Sequence, residues 1–388
     1  MIAHLQREID GALAARARLR DRPVRDVVEA LAAAGARWRT DGELASGLPE
    51  AARLHPSMVD AVLPLVAAQL DAHVLAELQA REATGVPPTL VAHVLASNVP
   101  GLAVPAIALA CLAGAAAVVK SGRADRLSAP AFRRALRAVD PDLAATIVTT
   151  YWPGGVRDVE DAVLGRADIV VASGADTSVG ALARRLGTRL LAHASRTSFA
   201  VTRSDVVQGV VAGLASDVAL YEQRGCLSPH AVFVLGDALG FAERLHAALA
   251  REATHLPPPA RTTSERAAYR LGLEEARFTG ATVLEDSGGA IVVDSATRLR
   301  DPLGQRTVRV HSIRAVAEIV DAFEPGTVEC IAFAAVELDA EALRRRGVAR
   351  LCPIGRMQHP RIDWPRGQRP ALASLFRVAN EPRIQVET

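Results

Sequence analysis

The first eighty-five residues place apolar side chains at helical spacing. "PVRDVVEALAAAGARW" and "PSMVDAVLPLVAAQLDAHVLAELQA" each begin with a proline near the first turn, which predicts helices there. From about residue 90 the pattern changes to short β-branched runs separated by helical segments. "TLVAHVLAS", "AAAVVKS", "ATIVTTYW" and "ADIVVASG" read as strands; "PAIALACLAG", "SAPAFRRALRAVD" and "VRDVEDAVLG" read as helices between them. A second series follows: "GALARRLG", "SFAVT", the long helical run "VVQGVVAGLASDVALYEQRG", "HAVFVLG", and the helix "DALGFAERLHAALAREATHL" leading into the loop "LPPPART". Further strands are expected at "GAIVVD", "TVRVHSI", "VECIAFA" and "VARLCPIG", and a Trp/Pro/Arg-rich tail from 356 ends in a short amphipathic helix. Strands alternating with helices predict an α/β protein with doubly wound parallel sheets behind an N-terminal helical segment.

Composition narrows the class. Half of the 388 residues are hydrophobic but only 4% are aromatic, so Ala, Val and Leu must build the cores. A net charge of +2 offers no basic field for nucleic acid. The cysteines are Cys111, Cys226, Cys330 and Cys352, a spacing that fits neither a metal site nor a disulfide framework. A reducing, cytoplasmic setting is expected, with no metal. The N-terminus lacks a signal-peptide core, and the longest apolar run, 99–119, carries two prolines and reads as buried helix and strand, not a membrane span.

Four segments carry candidate chemistry. In "ADIVVASGADTSVGALARRLG" a strand runs into Ser173-Gly174, then Asp176 and Thr177 as a helix cap, an arrangement that aims free N–H groups at an anion. In "LASNVPG", Asn98 leaves a strand at a turn, where its amide serves either an oxyanion or the turn itself. In "LYEQRGCLSPHAVFV", Cys226 sits on a loop beside Arg224, placed for thiolate chemistry. Cys111 and Cys330 lie inside apolar runs and read as structural; Cys352 is the fallback nucleophile. Lysine and arginine total 45, and Lys120, at the end of "GAAAVVK", is the only lysine.

The order of these features resembles the aldehyde dehydrogenase superfamily. "NVPG", "VVKSG", "YWPGG", "GCLSPH" and "CPIGRMQHP" resemble its acyl-CoA reductases, over about residues 90–380. The resemblance implies an aldehyde-dehydrogenase-like fold: residues 1–204 would hold the helical segment and a nicotinamide-cofactor domain, with the tail 356–388 packed back on it. Residues 205–355 would form the catalytic domain. It implies that Cys226 attacks a thioester carbonyl and that Asn98 helps to hold the oxyanion. Lys120, with Ser121 beside it, would bind the adenosine ribose. Ser173, Gly174 and Thr177 would face the pyrophosphate.

Three departures from the superfamily pattern refine the expectation. Where hydrolytic members carry a general-base glutamate, "LAHASRTSFAV" has Ala192, with His193 next to it. A thioacyl-cysteine then lacks an activator for water and survives to meet a reductant. His193 is either an acid/base substitute or a structural histidine. Three residues past the lysine, where NAD-dependent members often have a glutamate, stands Arg123. A guanidinium suits a 2′-phosphate, so NADPH is expected, with NADH as the other possibility. Asp301 in "RDPLGQRTVRV" is the nearest counterpart of the glutamate that holds the nicotinamide ribose. The expected reaction is NADPH-dependent reduction of an acyl-CoA or acyl-carrier-protein thioester to an aldehyde. Alternatives are an acyl-phosphate or aldehyde dehydrogenase, or a non-catalytic cofactor-binding homologue. The resemblance further implies a dimer or tetramer.

Overall fold

The computed structural model describes residues 1–19, 21–296 and 298–376. The chain divides into two compact units. The first comprises Met1–Arg53, Val59–Ser195 and the described chain from Arg361; the second comprises Leu54–Met58 and Arg196–Pro360.

The first unit is built on five strands: β1 (Leu90–Val94), β2 (Ala116–Lys120), β3 (Ile147–Thr150), β4 (Ile169–Ser173) and β5 (Leu190–His193). Their order is β3-β2-β1-β4-β5, and every neighbouring pair is parallel. The strand order therefore reverses between β1 and β4. In open parallel sheets, ligands bind beyond the carboxyl ends of the strands at such a reversal. Four of these strands fall within the predicted runs. β5 has no separate counterpart, because "LLAH" lacks the β-branched residues that mark a run such as "IVTT" of β3.

The N-terminal segment is not an appendage to this sheet. Leu5, Ile9 and Ala12 recur at spacings of four and three residues, so they line one face of the helix Ile2–Arg18. They join Leu90, Ala92, Ala116, Val118, Val148 and Val170 in one buried cluster, with Val159 and Val163 of the helix Arg157–Leu164. Burying each leucine or isoleucine stabilises by about 1.5–3 kcal/mol. No single helix among the described residues is long and apolar enough to cross a membrane.

The second unit is built on β6 (Thr197–Arg203), β7 (Pro229–Leu235), β8 (Thr282–Asp286), β9 (Gly289–Asp294), β10 (Thr307–Ile313), β11 (Val328–Ala334) and β12 (Arg350–Pro353). Their order is β12-β11-β6-β7-β10-β9-β8. β8 runs antiparallel to β9, so this sheet is mixed where a wholly parallel one was expected. The reason is local: only Ser287 and Gly288 separate the two strands, and a tight turn joins antiparallel neighbours whereas a parallel pair needs a crossover.

The division between units falls at Ser195, not at the expected 204. β6 hydrogen-bonds to β7 and β11, which ties residues 197–203 to the second sheet. In the same way residues 356–360 stay with the second unit, and the first takes up the chain only at Arg361. The helix Thr263–Phe278 was not anticipated. Its signal is a capping box: Thr262 Oγ1 accepts from the Glu265 N–H while the Glu265 carboxylate accepts from the Thr262 N–H. The described tail forms a 3-10 turn at Ala373–Leu375, and the rest of the predicted tail helix lies outside the described residues.

Candidate active site

In the first unit the carboxyl ends of the strands gather most of the expected residues. The Leu95 N–H donates to the Lys120 carbonyl (3.0 Å), and the Arg123 N–H donates to Ser97 Oγ (2.6 Å). Buried Asp125 accepts from the Gly101 N–H and the Ser128 N–H, both at 2.9 Å. These bonds lash the loop after β1 to the loop after β2. The contact is close enough to demand glycine at 122, where a Cβ would lie 2.7 Å from Ser97 Oγ. Gly101 has φ +82°, and a Cβ there would lie 2.9 Å from Val66. Asn98 is exposed on the first of these paired loops.

Lys120 ends β2 half-buried, and burial lowers its ammonium pKa against a smaller opposing pull from Glu160. Its Nζ lies 5.7 Å from the centre of the Tyr151 ring, just past the end of β3. Ser121 is buried and donates its N–H to the Thr150 carbonyl (2.9 Å). The Arg123 side chain is exposed.

Across the strand reversal, Ser173 ends β4 in register with His193 at the end of β5, and the Gly174 N–H donates to the His193 carbonyl (3.4 Å). The helix Asp176–Leu186 then begins. Its N-cap is Ala175, with no side chain bonded to the first turn. This corrects the expected Asp176/Thr177 cap: Asp176 turns aside to accept from the Ser195 N–H (2.8 Å), and Thr177 is exposed in the first turn. The opening N–H groups of an eleven-residue helix are thereby left without a side-chain cap.

The second unit holds Cys226. The expected long helix stops at Ala219. Tyr221, Glu222 and Gln223 follow with φ of 58°, 56° and 58°, three consecutive non-glycine residues in the left-handed region. Such conformations cost of order 1–3 kcal/mol each and need strong surrounding contacts. The contacts are present. Glu222 pairs with Arg306 in a buried ion pair. The Gln223 amide donates to the Pro229 and Thr307 carbonyls (2.7 and 2.9 Å) and accepts from the Thr307 N–H (3.0 Å).

Cys226 itself lies in a turn closed by the Ser228 N–H donating to the Gly225 carbonyl (3.1 Å). Ser198 Oγ donates to the Cys226 carbonyl (2.6 Å) and accepts from the Cys330 N–H (3.0 Å), stapling the turn to β6 and β11. Gln358 Nε2 bridges Ser228 Oγ (3.1 Å) and the Asp217 carbonyl (3.0 Å). Asp217 in turn accepts from the Gly355 and Met357 N–H groups (2.7 and 3.1 Å). Burial pushes the Asp217 carboxyl up to about 7, against the pull of those N–H donors. "CPIGRMQ" is thus a buttress for the cysteine turn.

Cys226 is half-buried, while Cys111, Cys330 and Cys352 are buried. Burial raises the Cys111 thiol to about 12. Cys330 and Cys352 face each other with sulfurs 3.6 Å apart; a hydrogen bond from Cys330 lowers the Cys352 pKa, and burial raises that of Cys330. The fallback cysteine is therefore a core residue. Asp301 is exposed in the segment between β9 and β10. The organised acid nearby is buried Asp294, which pairs with Arg300 and Arg309, both at 3.2 Å. Sequence reasoning also passed over Tyr151, Arg126, Ser198, Asp217, Gln223 and the Glu222–Arg306 pair. Only Tyr151, an aromatic at a strand end in an aromatic-poor chain, carried a readable signal.

Solved structures share this architecture. Aldehyde dehydrogenase 21 from Physcomitrella patens superposes with a TM-score of 0.77 over 97% of this chain and 88% of that one, at 15% identity. The NADP-dependent glyceraldehyde-3-phosphate dehydrogenase from Bacillus halodurans C-125 gives 0.71 over 91% and 83%, at 14% identity. The fold is that of an aldehyde dehydrogenase. Residues 65–378 match the acyl-CoA reductase (LuxC) family, and the chain belongs to it. A long-chain acyl-protein thioester reductase from Aliivibrio fischeri is 25% identical over 304 residues, which cover 75% of this chain. The aligned region spans 63% of that relative's length.

Proposed function

We propose that the protein reduces an acyl thioester, carried on coenzyme A or on an acyl-carrier protein, to an aldehyde with NADPH. The observation that carries the reading is Cys226: the least buried cysteine of an acyl-CoA reductase family member, on a turn held by Ser198, Ser228 and a strained left-handed segment. Its carbonyl accepts from Ser198 Oγ, which fixes the turn that carries the thiol. The relatives' activity as acyl-protein thioester reductases supports the same assignment.

The first unit's residues fit a dinucleotide. An uncapped helix N-terminus after Ser173-Gly174 suits a pyrophosphate, and a half-buried lysine at a parallel-strand end suits ribose hydroxyls. Thr177 adds a hydroxyl in the first helical turn. Arg123, three residues past Lys120, favours a 2′-phosphate and hence NADPH. Asp301 is assigned to the nicotinamide ribose from the family pattern alone.

In the proposed reaction the Cys226 thiolate adds to the thioester carbonyl carbon, and the carrier's thiol leaves as that C–S bond breaks. Asn98 donates to the oxyanion; removing such a donor typically costs about 10²–10³ in rate. When bound, the nicotinamide cofactor would supply the hydride for the acyl carbon. Cys226 then leaves as the C=O bond re-forms, releasing the aldehyde. Ala192 offers no base to activate water, so the thioacyl-cysteine outlasts hydrolysis. His193, at the end of β5, is assigned the proton transfers that balance the departing thiol.

The test is NADPH consumption over a panel of acyl-CoA and acyl-carrier-protein thioesters, with wild type and Cys226→Ala. Wild type should consume NADPH and release aldehyde, and the variant should do neither. Thioester-dependent NADPH consumption by Cys226→Ala would refute the scheme.

A further inference from the structure

Past the ends of β2 and β3, one aromatic ring carries two cations. The Arg126 guanidinium carbon lies 3.6 Å from the centre of the Tyr151 ring, and Lys120 Nζ lies 5.7 Å from the same point. Each of the three is held in place. Lys120 pairs in register with Thr150, which brings it beside the chain that leads into Tyr151. Trp152 is buried in the core under β1–β4, so the backbone at Tyr151 is anchored. Asp125, next to Arg126, is buried with both carboxylate oxygens bonded to backbone N–H groups, and Gly122 bridges to it. The arginine therefore projects from a fixed turn and is stacked before any ligand arrives.

This arrangement has the properties that anion recognition needs. A stacked guanidinium keeps its N–H fork in one plane, which matches the oxygens of a phosphate, and stacking removes part of the ordering cost of binding. Glu160, the acid that pulls on Lys120, is engaged by Arg185 and by the Gly155 N–H (3.1 Å), so its charge is largely committed elsewhere. Arg126 is itself exposed, with its fork open to a ligand.

We propose that Arg126, stacked on Tyr151 beside Lys120, reads the 2′-phosphate of the cofactor's adenosine. The proposal rests on the nicotinamide reading above and adds to it a specificity-determining pair that Arg123 alone does not provide. Lys120 takes the ribose oxygens, and Arg126 takes the phosphate through its fork.

The test uses binding, so that it does not depend on turnover. Adenosine 2′,5′-bisphosphate and adenosine 5′-monophosphate are titrated into the full chain by calorimetry. Wild type should bind the bisphosphate at least about tenfold tighter. Arg126→Ala should bring the two affinities close together, changing the monophosphate's by less than about twofold. Tyr151→Leu should lose part of the preference with the charge intact, because the fork is no longer held. If Arg126→Ala keeps the preference, and Arg123→Ala removes it, the assignment to Arg126 is overturned while the NADPH reading stands. If wild type shows no preference, the NADPH reading fails and takes this proposal with it. Unchanged melting temperatures establish that each variant is folded.

Discussion

Lys120 and Cys226 stand out from their own residue types for opposite reasons. Lys120 is the only lysine, and the structure sets it half-buried at a strand end beside Tyr151. Cys226 is one of four cysteines, and it alone escapes full burial. Both were legible in the sequence, the first from composition and the second from its loop. His93 was not, because it sits in the middle of an apolar strand run. It is buried in β1 with Nε2 lacking a hydrogen-bond partner in the structure. Burial, helped by Arg366, lowers its pKa to about 4. In the unfolded chain the ring protonates near 6.5, so as pH falls from about 6.5 toward 4 the unfolded state gains the proton first and stability declines. Urea midpoints at about pH 7 and pH 5 should show wild type losing roughly 1–2 kcal/mol more than His93→Leu. Equal losses in the two proteins would contradict the buried neutral imidazole.

At the level of elements, the pattern of apolar positions located strands well and connections poorly. β1 to β4 and β6, β7 and β9 to β12 lie in runs that read as strands. The run ending "ALYEQRG" reads as continuous helix because Leu, Tyr, Glu and Gln all tolerate one. What breaks it is tertiary: Glu222 and Gln223 find partners at Arg306 and Thr307, 84 residues away. Gln305 and Arg306 are themselves left-handed, with φ of 55° and 60°, so the strain is shared by both segments. No local signal encodes that agreement. Glu222→Gln leaves Arg306 charged and buried without its carboxylate, a change that typically costs about 3–5 kcal/mol. Thermal and urea unfolding should show that loss. A loss below about 1 kcal/mol would mean that the ion pair does not hold the turn.

For the whole molecule, the alternation of strands and helices gave the α/β class, and the order of short motifs gave the family. The boundary between units was harder to read, because β6 follows β5 after three residues and nothing in "ASR" announces a change of sheet. In the proposed reaction the acyl group passes covalently through Cys226. Intact-protein and peptide mass spectrometry, after mixing the full chain with a long-chain acyl-CoA and no cofactor, tests it directly. The claim predicts one acyl adduct on the peptide containing Cys226, discharged as free aldehyde when NADPH is added. An adduct on another residue, or one that NADPH leaves in place, would contradict it.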